Sequence, residues 1–231
     1  MAVSGTSAFT LDARQIIDRA MARCGGEDVT GWDSRSALVN MQLLFQELQM
    51  RNVNLWTVEL ATQVLTQADV DYTLDATTVD VLEMSVRDTS QATVTDLPVA
   101  RISRAEYELK PDKASSGLPF QYYLDRQRDA PVIYIYQAPS LTTYTLRYWR
   151  IRRIFDQSSY GDNVDLPVRW LPTVVSGLAY YMGRERRTKL GTAFVTELER
   201  EYEKDYGIAI TQESDNSPLR LVPDLSSYFV P

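Results

Sequence analysis

The spacing of apolar residues changes twice along this chain of 231 residues. In the N-terminal and C-terminal parts, apolar residues recur every three or four positions, which is the period of an amphipathic helix. In the middle they alternate with polar residues, which is the period of a half-buried strand. The sequence therefore predicts an α+β protein in which a β-rich segment interrupts a set of helices.

Two helices are predicted before the first alternating segment. The first begins with Thr10 as N-cap and Asp12 in the first turn, and it ends at Gly25-Gly26. Its apolar face includes Cys24, so a small buried thiol is the expected state of that side chain. The second helix runs from about Asp33 to Met50. Its apolar stripe consists of Ala37, Leu38, Met41, Leu44, Phe45 and Leu48.

The middle of the chain predicts six strands and one short helix. The residues Gln127 to Pro131 separate two aromatic-rich runs and predict a hairpin turn. The short helix covers Ser103–Leu109, with Ser103 as N-cap and Glu106 completing a capping box. The strands are expected near Val58–Val64, Asp71–Leu74, Val79–Arg87, Phe120–Asp125, Val132–Tyr136 and Thr143–Ile151.

Helical spacing returns after Pro167. The first helix of this part has an apolar face made of Leu171, Val174, Val175, Leu178 and Met182. The next runs from about Thr192 to Tyr206, and its inward residues are predicted to be Phe194, Val195, Leu198 and Tyr202.

The last twenty residues differ from the rest. Pro218, Pro223 and Pro231 prevent a regular helix, yet the segment is too apolar for a solvated linker. Two interpretations remain: an arm that docks on a partner, by strand addition for example, or an arm that folds back on its own domain. The apolar residues of this tail are Leu219, Leu221, Val222, Leu225, Tyr228 and Phe229.

These elements predict four segments. Residues 1–56 and 156–211 supply the helices of a four-helix bundle, residues 57–155 form the β-rich insertion, and residues 212–231 form an extended docking tail.

The composition excludes several kinds of chemistry. The chain has no histidine, which is the commonest general base and metal ligand, and its one cysteine cannot form an intrachain disulfide. No phosphate-binding glycine loop, nucleophile elbow or metal-spaced ligand set occurs. We therefore predict no catalytic residue, no cofactor and no metal.

Length and charge constrain the partners. No apolar run approaches the ~20 residues of a membrane helix, and the first residues do not resemble a signal peptide. The net charge of −7 argues against non-specific DNA binding, which requires clustered Lys and Arg. It leaves open a surface past which DNA slides without adhering. A free DNA-binding module is a weaker alternative.

Two basic sets have more than one interpretation. Arg147 and Arg153 are predicted on one strand face and Arg150 and Arg152 on the other, which favours a polar interface or solvated face over nucleic-acid binding. A second set, with Lys189, lies at a helix C-terminus, where cations are favoured by the helix dipole. It consists of Arg184, Arg186 and Arg187, which are candidates for charge contacts between subunits.

A set of acidic residues in the last predicted helix and a set of aromatic residues in the predicted strands each have two interpretations. The acidic set is typical of a solvated helix face, although paired carboxylates could also serve a glycan hydrolase. The aromatic set favours a sheet core and an interface over a carbohydrate-stacking or base-stacking platform. The acidic residues are Glu197, Glu199, Glu201, Glu203 and Asp205. The aromatic residues are Tyr122, Tyr123, Tyr134, Tyr136, Tyr144, Tyr148 and Trp149.

Four motifs resemble a known family. They are Arg-Asn-Val-Asn-Leu-Trp-Thr-Val-Glu at 51–59, Phe-Gln-Tyr-Tyr-Leu-Asp-Arg-Gln-Arg-Asp-Ala-Pro at 120–131, Thr-Leu-Arg-Tyr-Trp-Arg-Ile-Arg-Arg at 145–153, and Leu-Pro-Val-Arg-Trp-Leu-Pro-Thr-Val-Val-Ser-Gly-Leu-Ala-Tyr-Tyr at 166–181. In order and spacing they resemble the head-to-tail adaptors of tailed bacteriophages, also called tail tubular protein A or tail accessory factor. The resemblance covers roughly residues 8 to 210. Its motifs are structural rather than catalytic.

The resemblance implies a structural role. It predicts a non-enzymatic virion subunit, assembled in the host cytoplasm into a dodecameric ring beneath the portal. The ring would bear the tail nozzle or tail tube and continue the channel through which DNA passes without specific binding. The C-terminal tail would reach the portal or a neighbouring subunit. The alternative to this connector is a tail-associated glycan hydrolase that uses carboxylates.

Overall fold

The computed structural model describes residues 9–25, 31–51, 55–90, 94–157 and 159–213. Both helices and sheets occur, as the α+β prediction required. The six helices of the described residues are α1 (Ala13–Arg23), α2 (Gly31–Met50), α3 (Arg104–Glu108), α4 (Leu171–Glu185), α5 (Arg187–Leu190) and α6 (Thr192–Glu213).

The start of α1 corrects the sequence-based prediction. The N-cap is Asp12 and not Thr10, because the Asp12 carboxylate accepts a hydrogen bond from the Gln15 backbone N–H at 2.7 Å. The Gln15 side chain in turn accepts from the Asp12 N–H at 3.3 Å, which closes a capping box. At the other end, Gly25 adopts a φ of 65°, the left-handed conformation expected of a residue that ends a helix.

The two long C-terminal helices pack against each other. All five residues of the predicted α4 face are buried. α6 ends at Glu213, seven residues beyond the predicted end, because Ala209 and Glu213 are buried against the helical core. Phe194 was predicted to point inward but is 40% exposed, so that part of the prediction was wrong. The short helix α5 between α4 and α6 was not predicted.

The capping box at Ser103 is confirmed. The Glu106 N–H donates to the Ser103 hydroxyl at 3.2 Å, and the Ser103 N–H donates to the Glu106 carboxylate at 2.7 Å. Helix α3 therefore begins where the sequence predicted.

Two four-stranded sheets account for most of the β structure. The first has the order β1-β10-β3-β4 and is antiparallel throughout. The second has the order β2-β8-β7-β5, with β5 parallel to β7, and a parallel pair β6-β9 stands apart. The strands are β1 (Val58–Val64), β2 (Asp71–Thr73), β3 (Thr78–Asp88), β4 (Thr95–Pro98), β5 (Ala100–Arg101), β6 (Ser116–Gly117), β7 (Gln121–Asp125), β8 (Val132–Tyr136), β9 (Ala138–Pro139) and β10 (Tyr144–Arg152).

All six predicted strands are present within two residues of their predicted bounds. The hairpin is confirmed, since β7 pairs with β8 from Gln121↔Tyr136 to Asp125↔Val132. The strands β4, β5, β6 and β9 were missed because each has only two to four residues and no alternating pattern of its own.

The apolar core consists of two clusters. The helical core is formed by α1, α2, α4 and α6, together with Ile154 and Trp170. The β core lies between the two four-stranded sheets and includes Val81, Tyr122, Ile135 and Leu146. Helices from the N-terminal and C-terminal parts thus share one continuous apolar cluster, and the β-rich segment has a cluster of its own. The four-helix bundle stays a prediction.

Candidate interaction surfaces

Arg184, Arg186 and Arg187 lie together where α4 passes into α5, at what we call the basic corner. Arg184 and Arg187 are exposed and Arg186 is half-buried. The Arg184 guanidinium carbon lies 5.6 Å from the ring centroid of Tyr180, which places a cation against an aromatic ring. The Arg187 Nε donates to the Thr192 hydroxyl at 3.4 Å. The three predicted residues therefore share one corner, and their contact with a neighbouring subunit stays a prediction.

The aromatic rings at the basic corner are fixed by acidic residues. The Tyr180 hydroxyl donates to Glu199 at 3.0 Å, and the Tyr181 hydroxyl donates to Glu47 at 2.7 Å. Burial, together with the bond to Glu47, raises the pKa of Tyr181 to about 12. Tyr181 consequently remains a neutral donor over the physiological range, and the corner has a fixed geometry.

A charged clamp joins α2 to α6. The Arg51 guanidinium donates two hydrogen bonds to the Glu203 carboxylate, at 2.8 and 3.2 Å, and lies 2.6 Å from Glu47. It also covers the Tyr206 ring at 4.6 Å from the centroid. The Arg51 hydrogen bonds lower the pKa of Glu203. Sequence reasoning placed Glu203 on a solvated face and assigned Arg51 no contact, because the two residues are far apart in the chain.

Arginines of β10 pair with acidic residues of the first sheet and of the segment that precedes α4. Arg152 pairs with Asp165 and with Glu59, and the Arg150 Nε donates to Glu59 at 2.8 Å. Arg147 lies on the opposite strand face and pairs with Asp96 at 3.0 Å. The predicted split of the basic run is therefore confirmed for these three residues. Arg153 follows the end of β10 and lies outside the strand.

Two tryptophan rings are in contact next to these ion pairs. Trp56, just before β1, packs on Trp170 with the ring centroids 5.7 Å apart. The Trp170 indole N–H donates to Glu213 at 3.1 Å, and Arg169 donates to the same carboxylate at 2.6 Å. The last residue of α6 is thereby fixed beside the start of α4 and close to the start of β1.

The acidic residues of α6 fall into separate environments. Glu197 pairs with Arg200 on the same helix, Glu199 accepts from Tyr180, and Glu203 belongs to the clamp. Glu197, Glu201 and Asp205 border a shallow groove of about 440 Å³ next to Arg23. Arg200 lowers the pKa of Glu197.

These carboxylates do not have the properties of a glycosidase pair. A general acid requires a pKa raised toward neutrality. Within the described ranges, every carboxyl group with a shifted pKa has it lowered, mainly through hydrogen bonds from arginine, lysine or nearby hydroxyl and backbone groups. The arrangement favours the interpretation as a charged helix surface.

The first sheet has an exposed apolar face. We use the term outer face for Leu60, Val64, Leu82 and Trp149, which are between 42% and 64% exposed. Leu60 and Trp149 are cross-strand partners on β1 and β10. Leu60, Leu82 and Trp149 line a cleft of about 480 Å³. Arg101 and Arg147 lie on the wall of the same cleft. Exposed aromatic and arginine side chains of this kind are enriched at protein interfaces.

Sequence reasoning found only part of the outer face. Trp149 belonged to the predicted aromatic set, but Leu60, Val64 and Leu82 were not predicted to form a surface. The alternation in β1 contained the signal: if Ala61 faces the β core, then Leu60 and Val64 must face away from it.

The aromatic set divides as a sheet core predicts. Tyr122, Tyr144 and Tyr148 are buried in the β core. Tyr123 stacks on Tyr134 at 6.0 Å. Tyr136 packs edge-on against Phe120, and Trp149 is part of the outer face. Core positions thus account for three of the seven residues.

Cys24 is a buried thiol, as predicted. It is 1% exposed, and its Sγ donates to the Ala179 carbonyl at 3.0 Å. Burial raises its pKa to about 11, although Arg186 opposes this shift. The thiol is therefore unreactive at neutral pH.

The described part of the chain has neither a cluster of metal ligands nor a membrane-spanning helix. No group of three His, Cys, Asp or Glu side chains there is arranged to hold a metal ion. No helix among the same residues is long and apolar enough to span a bilayer. The predicted docking residues of the tail, from Leu219 to Phe229, lie outside the described residues.

A family model decides the relationship of this chain. The model described as SU10 adaptor protein matches residues 11–222. The chain belongs to the SU10 adaptor protein family. This is a family of phage head-to-tail adaptors, so the resemblance found in the four motifs is confirmed. A comparison with the curated proteins found no match.

The adaptor family match extends further than the motifs did. It covers both helical segments and the whole β-rich segment, and it ends at Val222, within the predicted tail. Residues 219–222 are therefore part of the adaptor family pattern.

Proposed function

We propose that this SU10-family protein is a structural head-to-tail adaptor subunit, which assembles into a ring between the portal and the tail of the virion. The family match over residues 11–222 carries this proposal. The ring is expected to be dodecameric and to bear a nozzle or a tail tube. Its role is geometric: it continues the DNA channel and holds the two neighbouring components in register.

Ring formation requires two different surfaces on each subunit that fit each other. A head-to-tail contact of this kind closes into a ring when the rotation between subunits closes. The basic corner, with Arg184, Arg186 and Arg187, supplies one charged surface, and the groove bordered by Glu197 and Glu201 of α6 supplies a surface of opposite sign. We propose that charge contacts between such surfaces help to set the register of neighbouring subunits.

The segments have distinct roles in this proposal. Residues 1–56 and 156–211 form a bundle around the channel, and residues 57–155 form a projecting insertion. Residues 212–231 form an arm that binds the portal or a neighbouring subunit through its apolar side chains. A net charge of −7 supports passage of DNA without adhesion, because like charges repel. The subunit would be made and assembled in the host cytoplasm and would end in the virion.

Light scattering tests the adaptor proposal directly. The mass of the purified protein is measured alone and then after mixing with the portal of its own phage. We expect a large complex with a fixed subunit ratio to the portal. A protein that stays monomeric and does not change the mass of the portal would overturn the adaptor role, although the family fold would stand.

A further inference from the structure

Strand β1 is the longest sheet edge in the described residues, and its outward side chains carry no charge. The two four-stranded sheets end in β1, β4, β2 and β5. The last three have four, three and two residues, and β4 contains Asp96 and Pro98, which discourage strand addition. β1 has seven residues with no proline or lysine, and only one of its sides pairs, with β10. Such an edge is a template for a further strand.

The side chains of β1 suit an apolar strand. Leu60, Thr62 and Val64 point to the outer face and are exposed, whereas Ala61 packs against the β core. Trp149 lies next to Leu60 on β10. An added strand with apolar residues at alternate positions would widen the outer face and cover the exposed edge of Leu60.

The described chain ends close to the start of this strand. Glu213 accepts hydrogen bonds from Arg169 and Trp170, and Trp170 packs on Trp56, two residues before Val58. The path from Glu213 to Leu219 spans at most ~20 Å. The C-terminal segment therefore starts within reach of the first residues of β1.

The segment 219–222 has the pattern of a short strand. It reads Leu-Arg-Leu-Val and is bounded by Pro218 and Pro223, which limit a paired stretch to these residues. Its leucines alternate with Arg220. The adaptor family match extends to Val222 and so includes this stretch.

We propose that Leu219–Val222 adds to the free edge of β1 in the same chain, as a strand parallel to β1. In this register Leu219 lies beside Leu60 and Leu221 beside Thr62, so that both leucines extend the outer face. Arg220 then lies beside Ala61 on the other face of β1, and its long side chain can extend past the sheet edge to water.

Addition within one chain is favoured over addition to a second copy. A short connection keeps the segment at a millimolar effective concentration near β1, which exceeds the concentration of free protein in ordinary solutions. The portal-docking role proposed above uses the same segment, so portal binding and the β1 site would compete. The strand addition itself is a property of the free protein and does not depend on the adaptor role.

A disulfide cross-link in the full-length free protein tests this arrangement. The variant Thr62→Cys/Leu221→Cys places thiols on the two strands at the proposed register. We expect mild oxidation to produce an intramolecular disulfide, seen as a monomer with altered mobility and confirmed by peptide mass. Cys24 can be left in place, because it is buried and its pKa is raised to about 11.

The matched control places the second cysteine on the opposite edge of the same sheet. In Thr95→Cys/Leu221→Cys the new thiol on β4 is equally exposed, and no intramolecular disulfide is expected. Equal cross-linking at both edges would overturn the proposal, and so would no cross-linking at Thr62. A product that consists only of disulfide-linked dimers would show a second copy as the occupant and would also overturn it.

Hydrogen exchange gives a readout that does not depend on cysteine geometry. We expect Leu221→Asp to accelerate exchange of the β1 amides by about tenfold or more, because the outward N–H groups lose their partners. Ser226→Asp, with the same added charge outside the paired stretch, should leave β1 unchanged. Identical β1 exchange in the wild type and in Leu221→Asp would contradict the proposal. Neither experiment contains the portal, so their failure leaves the adaptor proposal untouched.

Discussion

At the scale of single residues, the charged groups that join the helices are those that an amphipathic pattern treats as solvent-facing. Glu213 lies seven residues beyond the predicted end of α6, and it is buried. Arg51 follows α2 and reaches across to Glu203. Periodicity identifies which residues are apolar and inward, but it does not show which polar residues find partners on another helix.

Glu213 gives a prediction about stability and pH. Burial raises its pKa, but hydrogen bonds from Arg169 and Trp170 outweigh burial and lower it below the usual range. A carboxyl group whose pKa is lowered by folding stabilises the protein above its unfolded pKa. That contribution is lost as the pH falls through the folded value. We therefore expect Glu213→Gln to destabilise the protein at pH 7 by about 1–3 kcal/mol, with a difference that shrinks below about pH 4.

Urea unfolding at a series of pH values measures this effect. Glu201→Gln removes a carboxylate from an exposed position of the same helix and should change stability little at any pH. A constant difference between the wild type and Glu213→Gln from pH 7 to pH 3 would show that the ionised carboxylate is not responsible.

At the scale of elements, the contact of α4 with α2 and α6 depends on one glycine. A Cβ atom added to Gly177 would lie 2.9 Å from the Leu44 Cδ1 and 2.9 Å from the Tyr202 Cε2. Leu44 and Tyr202 are both fully buried, and the Tyr202 hydroxyl also donates a hydrogen bond to Glu47. Neither side chain has room to withdraw, so Gly177 allows the three helices to approach closely.

Substitution of two helical glycines separates packing from helix propensity. We expect Gly177→Ala to destabilise the protein by about 1–3 kcal/mol, because overpacking outweighs the gain in helix propensity. Gly207→Ala in α6 meets no atom within 4 Å and should stabilise it by roughly 0.5–1 kcal/mol. Thermal or urea unfolding measures both variants. A Gly177→Ala protein as stable as Gly207→Ala would mean that the helices separate at little cost.

Whether a helix or strand could be predicted from the sequence depended on its length. The long strands β3 and β10 and the helices α2 and α4 show their period over nine residues or more, and they were found. β4, β5 and the short helix α5 span four residues or fewer. At that length a periodic pattern cannot be distinguished from chance, and pairing with β3 or β7 creates the strand.

At the scale of the whole molecule, two cores are connected by a polar junction. Arg152 of β10 pairs with Asp165, which precedes α4, while Trp56 beside β1 packs on Trp170. This junction brings the basic corner, the outer face and the end of α6 into a defined arrangement on one subunit. The proposed ring requires such fixed geometry, because a head-to-tail contact closes into a ring only when the rotation between subunits closes.

Charge reversal at the basic corner tests the proposed contact between subunits. We expect Arg184→Glu/Arg187→Glu to weaken ring assembly on the portal about tenfold or more, with a smaller dependence on salt than the wild type. Light scattering of portal mixtures at two salt concentrations measures this effect, and circular dichroism checks the fold. Arg104→Glu/Arg128→Glu changes the same net charge at exposed positions of the β-rich segment and should assemble normally. If both variants assemble like the wild type, the corner is not an interface.

The sequence by itself determined the class of fold, the order of the long helices and strands, the buried state of Cys24 and the adaptor family. Each of these depends on local patterns: hydrophobic period, capping residues such as Ser103, and motifs of nine residues or more. The tertiary structure decided which polar residues are paired, where α6 ends, and which face of β1 is exposed. Contacts such as Arg51 with Glu203, Glu213 with Trp170 and Leu60 with Trp149 join residues separated by dozens of positions. Their energies depend on distances that exist only once the helices and sheets have packed, and no local pattern encodes them.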